Sequence, residues 1–136
     1  MAVNYLADTS VLTRLRIPEV RQALRTLVAG TAVSRCSTSD LELGFSARDV
    51  KEWDRIRRAV ETFALVEITE VEFRRARQVQ RALATRHRGR KVPDLLIAAA
   101  AERERLTVLH YDRDFEHIAK VTGQPHEWIV HAGSVG

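Results

Sequence analysis

The stretch that decides the fold runs from Val92 to Ala119 and reads VPDLLIAAAAERERLTVLHYDRDFEHIA. Residues 95–101 are apolar on every face of a helix, and a helix of that kind is buried on all sides. The charged turn at 102–105 ends it, and residues 106–109 form a short β-rich run. Asp94 precedes the buried helix, whereas Asp112 and Asp114 follow the strand. We therefore predict a helix, a buried strand and a second helix, with carboxylates at two of the junctions.

The rest of the chain continues this alternation of strands and helices. Strands are predicted at 3–7, 31–35, 65–68 and 127–131, and helices at 11–17, 20–28, 37–45, 53–63 and 69–83. Alternation of this kind is typical of parallel β-α units, and short apolar strands indicate a sheet covered on both faces. We predict an α/β fold: a single three-layer α/β/α domain over residues 1–136 with a short, mainly parallel central sheet.

Local patterns within these elements give more specific predictions. Thr69 to Glu72 has the spacing of a capping box at a helix start, and so does Ser39 to Glu42. The helix after Thr69 is expected to bury Phe73, and Trp53 has the helical spacing of a core residue. Residues 133–136 are expected to form a loose tail.

Composition narrows the class of protein. The chain has 136 residues, 45% of them hydrophobic, which is enough for one real core. No apolar run approaches the roughly 20 residues of a membrane span, and the N-terminus has no signal-peptide pattern. The single cysteine, Cys36, rules out an intrachain disulfide and fits a reducing cytoplasm. The net charge of +4, carried mainly by arginine, favours an anionic partner such as nucleic acid or an acidic protein.

Acidic residues occur at four junctions between predicted elements. Asp8 follows the first strand, Glu42 lies in the first turns after the second, and Asp112 follows the fourth. Functional groups of an open parallel sheet gather outside the carboxyl ends of its strands. These three acids belong at that edge, and Asp94 joins them if its helix starts there.

Each acid alone also fits a helix cap, and only the set argues otherwise. A helix N-terminus stabilises one carboxylate by roughly 0.3–1 kcal/mol. Two carboxylates about 4 Å apart repel by on the order of 4 kcal/mol at an effective dielectric near 20. A cleft shared by four acids therefore needs a cation, and carboxylate oxygens select Mg²⁺ or Mn²⁺. One or two such ions can activate a water to attack a phosphodiester.

The segments YLADTSVL, DLELGF, PDLLIAAAA and LTVLHYDRDF, in this order, resemble the PIN-domain nucleases, and more closely the VapC toxins of bacterial toxin–antitoxin pairs. The resemblance implies a Mg²⁺- or Mn²⁺-dependent endoribonuclease, usually a homodimer, inhibited by a small VapB-like antitoxin. Asp8, Glu42, Asp94 and Asp112 fall on the family's catalytic and metal-binding quartet. Asp114 falls on a supporting acid and Thr9 on a hydroxyl position that helps orient the site.

Two features near the acids remain open to alternatives. The basic loop at 86–91, with Arg86, Arg88, Arg90 and Lys91, can contact the RNA backbone, stay solvated or contact the antitoxin. His110, where many relatives carry Thr, can donate a proton or be a strand-end residue satisfied by its neighbours.

Other function classes fit the sequence less well. Receiver-like and haloacid-dehalogenase-like domains share the layout, but the former need an acidic pair after the first strand and the latter a second Asp at position 10, where Ser10 stands. The principal alternative is a non-catalytic RNA- or protein-binding module that retains the fold. The sequence does not identify the RNA, and DNA is not strictly excluded.

Overall fold

The central sheet has five strands, all paired in parallel. The computed structural model describes residues 4–86 and 88–136. The strands are β1 Tyr5–Ala7, β2 Val33–Cys36, β3 Ala64–Val66, β4 Thr107–His110 and β5 His126–Trp128. Their order is β3-β2-β1-β4-β5, so the order reverses at β1 and a topological switch point lies between β1 and β4. The sheet is thus parallel throughout, including the edge strand around Trp128.

Seven helices are found in the described residues, and they cover both faces of the sheet. They are α1 Thr9–Leu12, α2 Pro18–Val28, α3 Ser37–Phe45, α4 Val50–Val60, α5 Glu70–Leu83, α6 Val92–Glu104 and α7 Asp114–Thr122. Along β1, Leu6 packs with residues of α5, α6 and α7, whereas Tyr5 and Ala7 pack with residues of α1 and α2. This arrangement confirms the three-layer α/β/α prediction. None of the helices in 4–86 and 88–136 is long and apolar enough to cross a bilayer.

Helix α6 is the most buried helix, as its sequence predicts. Residues 94–101 are all buried, and most of them belong to the core between the sheet and α5 and α7. Pro93 stands in the first turn, where its missing N–H costs no helical hydrogen bond. The N-cap is Lys91, so Asp94 lies inside the first turn and is not the N-cap that its position after a proline indicated. The fold therefore holds a buried carboxylate at a rigid helix start.

Three local predictions were wrong. The helix expected at 11–17 ends at Leu12, because the chain turns before Pro18 opens α2. The side chain of Phe73 is 48% exposed on the outer surface of α5. Trp53 is 43% exposed and lies over Gly44, where an added Cβ would stand 2.5 Å from its indole nitrogen.

The C-terminal residues are held, contrary to the expected loose tail. The Tyr111 hydroxyl donates to the Val135 carbonyl over 2.8 Å, and the Arg14 guanidinium donates to the Gly136 carbonyl over 2.8 Å. Val135 also packs against the core on the α1–α2 face. These contacts anchor the tail beside the end of β4.

Candidate metal centre

The candidate site lies at the carboxyl ends of β1 and β4, at the switch point of the sheet. Asp8 directly follows β1, and its backbone N–H donates to the Leu109 carbonyl of β4 over 2.8 Å. The Ser10 hydroxyl donates to Asp8 Oδ2 at 2.6 Å and accepts from the Tyr111 N–H at 2.8 Å. Ser10 thus ties the start of α1 to the end of β4. This role of Ser10 could not be predicted from the sequence, because its bond to residue 111 is tertiary.

Three of the predicted acids come together at this edge. Asp94, Asp112 and Asp114 each offer an oxygen, and these oxygens lie within 4.8 Å of one another. Asp94 is buried, and the other two are partly exposed. The Asp114 N–H donates to Asp112 Oδ1 at 2.9 Å, and the second oxygen of Asp112 faces Lys91. The N-cap of α7 is Arg113, so Asp112 is not the N-cap that the sequence allowed.

Asp8 lies next to this cluster and is buried more deeply, with 2% of its surface exposed. Burial is the largest cause that raises the pKa of Asp8 to about 6. The carboxylates of Glu42 and Asp112 act in the same direction, whereas the hydrogen bonds from Ser10 oppose them. Asp8 is also the N-cap of α1, through a hydrogen bond from the Ser10 N–H. The capping interpretation of Asp8 is confirmed, yet it accounts for only one carboxylate oxygen.

The pKa of Asp94 reflects burial and the repulsion among these acids, even with the Lys91 ammonium beside them. Burial raises the pKa of Asp94 to about 8, and Asp8, Asp112 and Asp114 add to the effect. The Lys91 ammonium lowers it but does not compensate. Ionising Asp94 in this setting is unfavourable unless more positive charge is supplied.

Two carboxylate oxygens provide an independent test of whether the site suits a metal. Asp8 Oδ1 and Asp94 Oδ2 are buried and have no hydrogen-bond partner. Buried polar atoms are rarely left in this condition, and an ion is one of the explanations for it. The atoms of the acid cluster that could bind a metal are carboxylate oxygens, and Mg²⁺ and Mn²⁺ prefer such ligands. The residues present therefore fit a hard divalent cation.

Glu42 reaches the site from α3 and is oriented by Thr9. The Thr9 hydroxyl donates to Glu42 Oε1 at 2.5 Å and lies 2.8 Å from the Ser39 hydroxyl. Because α3 begins at Ser37, Ser39 and Glu42 do not form the predicted capping box. Instead, Thr9 binds the Glu42 carboxylate, which lies outside the three-acid cluster but raises the pKa of Asp8.

Of the basic loop, Lys91 contacts the acids. Arg86 and Arg88 are exposed, Arg90 is partly buried, and position 87 lies outside the described residues. Lys91 differs from the arginines because its ammonium points into the acid cluster. It lies 3.2 Å from Asp114 Oδ2 and 3.3 Å from Asp112 Oδ2. Burial alone would lower the pKa of Lys91, but the surrounding carboxylates raise it well above its ordinary value.

His110 is a buried structural residue, which favours the second of the two sequence interpretations. Its Nδ1 accepts from the Asp112 N–H at 3.2 Å, so its Nε2 carries the proton and lies 2.9 Å from His126 Nδ1. The ring also stacks on Phe115. Burial, and then the charge of His126, lower the pKa of His110 to about 3. A neutral imidazole thus positions the backbone of Asp112.

Comparisons with known proteins agree with this fold and site. The sequence model of the PIN domain matches residues 5–121. The chain is 54% identical to Ribonuclease VapC51 of Mycobacterium tuberculosis over 136 residues, which is 99% of each chain.

Solved structures resemble the chain at lower identity. One is the crystal structure of VapBC2 from Rickettsia felis bound to a DNA fragment from their promoter, with a TM-score of 0.75 and 15% identity, covering 93% of this chain and 98% of that one. Another is a toxin–antitoxin complex from Klebsiella pneumoniae, with a TM-score of 0.67 and 24% identity, covering 82% and 89%. These likenesses show the fold. From the matched domain and the similarity along its whole length, the chain belongs to the PIN-domain family and is a VapC-like member of it.

Proposed function

We propose that this protein is a Mg²⁺- or Mn²⁺-dependent endoribonuclease, the toxin of a VapBC-like type II toxin–antitoxin pair, formed by one PIN-like domain over residues 1–136. The observation that carries the proposal is a set of buried acids at the switch point of a parallel sheet, in which Asp8 Oδ1 and Asp94 Oδ2 have no hydrogen bond. A structural role alone would leave these atoms hydrogen-bonded. The name of the 54% identical relative, a ribonuclease, supports the same activity.

The acids of the chain have different roles in phosphodiester hydrolysis. Asp8, Asp94 and Asp112 hold the cation, with Asp114 in support. A divalent ion held there supplies charge neutralisation and lowers the pKa of a water. Glu42, fixed by the Thr9 hydroxyl, completes the acidic site and accepts a proton from the attacking water.

The basic loop is proposed to bind the RNA backbone. Arg86, Arg88, Arg90 and Lys91 occupy the segment that leads directly into Asp94, and the Lys91 ammonium contacts the acid cluster. Arginine suits phosphate because its planar group donates two parallel hydrogen bonds. We place the activity in the cytoplasm, because the proposed substrate is cellular RNA.

The function is tested with the purified protein and total RNA. We expect discrete new RNA ends with Mn²⁺ and none with EDTA, and no cleavage by the Asp8→Asn variant. Cleavage that persists in EDTA contradicts the proposal. Retention of RNA without cleavage under any metal condition supports the alternative, a non-catalytic RNA-binding module.

We propose that the antitoxin binds in an apolar groove beside the site. The groove has a volume of about 710 Å³ and lies among α3, α5 and α6, with Glu42 and Pro93 in its wall. Leu41 and Phe45 on its rim are 78% and 92% exposed. Large exposed apolar side chains of this kind mark interaction sites. A segment seated here would pass next to Glu42, and the toxin–antitoxin complex with the same fold supports the choice of occupant.

The groove is tested with the proposed VapB-like antitoxin. We expect Phe45→Ser to weaken the complex, because it removes apolar surface from the rim without touching an acid. Val28→Ser, at a 49% exposed valine on α2, is the matched control and should bind as wild type. Equal affinity of the two variants contradicts the assignment. The resemblance also implies a homodimer, and light scattering of the wild type tests it.

A further inference from the structure

Lys91 occupies a particular position: its ammonium lies among the three clustered acids. It is 3.2 Å from Asp114 Oδ2, 3.3 Å from Asp112 Oδ2 and 3.7 Å from Asp94 Oδ2. It reaches them from the N-cap of α6, three residues before Asp94. One ammonium therefore partly neutralises all three carboxylates of the cluster.

The oxygens that Lys91 contacts are those that the metal would need. Asp94, Asp112 and Asp114 offer oxygens within 4.8 Å of one another, and a Mg²⁺ ion binds oxygen at about 2.1 Å. An ammonium about 3 Å from the same oxygens occupies the same space, and two cations so close repel each other. The Lys91 side chain and a divalent ion therefore exclude each other from the centre of the cluster.

Lys91 is also able to leave. Its side chain is 64% exposed, and the ammonium is carried on a flexible four-carbon stem that can swing into solvent. Arg103, which pairs with buried Glu72 at another helix start, is only 35% exposed and also binds the Glu67 carbonyl. Lys91 is therefore easier to displace from its acids than Arg103 is from Glu72.

We propose that Lys91 is a built-in competitor of the divalent metal: it neutralises the acid cluster before the metal binds and is displaced when the metal arrives. This inference rests on the proposed metal site. The displaced ammonium remains tethered at the entrance of the cleft, where it joins the cations of the loop proposed to bind RNA. Metal loading and the positive charge offered to RNA are thereby coupled through one side chain.

The test is calorimetric titration of Mn²⁺ into the metal-free protein. Lys91→Met keeps the length of the stem and removes the charge, so we expect the Kd for Mn²⁺ to fall about tenfold, or about 1.4 kcal/mol. Lys91→Arg keeps a cation and should bind Mn²⁺ as the wild type does. Without metal, Lys91→Met should melt at a lower temperature than the wild type and gain more from added Mn²⁺, because its acids lack a resident cation.

Lys51→Met is the matched control, since it makes the same substitution at an exposed lysine on α4. It should leave the Kd for Mn²⁺ unchanged. If Lys91→Met yields too little folded protein, Lys91→Gln removes the same charge and gives the same comparison. A wild type that binds Mn²⁺ and charge-removing variants that bind it no more tightly overturn this inference alone. A wild type that binds no Mn²⁺ overturns the proposed function itself.

Discussion

Two buried acids, Glu72 and Asp94, occupy the same position in two different helices and behave in opposite ways. Each is the third residue of its helix, in α5 and α6 respectively, and they are 1% and 6% exposed. Glu72 accepts from the Thr69 N–H at 2.7 Å and is paired with Arg103. Asp94 has an oxygen without a hydrogen-bond partner. The same position thus serves stability in one helix and, in our proposal, metal binding in the other.

The pKa values of the two acids follow from their partners. Burial would raise the pKa of Glu72, but hydrogen bonds from Thr69 and Arg103 outweigh it and lower the pKa below its ordinary value. Burial raises the pKa of Asp94 and neighbouring acids raise it further. Burial at a helix start therefore does not distinguish a structural acid from a functional one. The distinction lies in whether the protein itself supplies enough donors and positive charge.

The largest expected effect is the loss of cleavage in Asp94→Asn. The amide removes a charge and a ligand, so we expect RNA cleavage to fall by roughly 100-fold or more. Metal-free stability should not fall, because ionising this buried carboxyl is unfavourable in the wild type and the amide is always neutral. Cleavage assays and thermal melts in EDTA check the two halves of this prediction. An unfolded variant would show that Asp94 is structural, as Glu72 is.

Glu72→Gln should produce the opposite pattern. Its ion pair with partly exposed Arg103 is lost, and we expect the free energy of unfolding to fall by about 2 kcal/mol. The Kd for Mn²⁺ should stay at the wild-type value. Denaturant unfolding and metal titration measure these quantities. Weakened Mn²⁺ binding would contradict the purely structural role of Glu72.

Two threonines allow the same comparison between a residue of the site and a structural residue. Thr9 hydrogen-bonds Glu42 at the site, and Thr69 hydrogen-bonds Glu72 in the capping box. Thr9→Val should lower cleavage about tenfold, as loss of an orienting hydrogen bond does. Thr69→Val should instead lower stability by about 1 kcal/mol and leave cleavage per folded molecule unchanged. Equal cleavage by the two folded variants would contradict the role of Thr9.

The smallest expected effect is a pH dependence of metal-free stability. An acid with a raised pKa binds more protons when folded, so Asp94 makes stability fall as pH rises from the ordinary Asp pKa towards about 8. His110, with its lowered pKa, acts in the opposite direction between about 3 and 6.5. Above pH 6.5 the Asp94 effect is no longer opposed by His110, and we expect a loss of about 1 kcal/mol by pH 8. Melting curves in EDTA should show this slope in the wild type and a flatter one in Asp94→Asn.

The sequence predicted those parts of the structure that depend on local pattern. The burial of α6 follows from a helix apolar on every face, and the Thr69–Glu72 capping box follows from spacing. The position of Asp112 follows from a parallel strand that ends at that edge, and Asp94 joins it because α6 begins there.

The predictions that failed concern features that depend on tertiary contacts. Phe73 has the helical period of a core residue but borders the exposed groove, and Ser39 belongs to the site because Thr9 lies across from it. The position of the Lys91 ammonium could not be predicted, because a long side chain on a loop can point in many directions.

We propose that the acids around Asp94 need a metal ion, because Lys91 neutralises them only in part. Calorimetric titration of Mn²⁺ into the wild type, Asp94→Asn and Glu72→Gln tests this proposal. We predict saturable binding to the wild type and to Glu72→Gln, and little or none to Asp94→Asn. Binding that is equal in all three proteins, or absent from the wild type, would contradict the account.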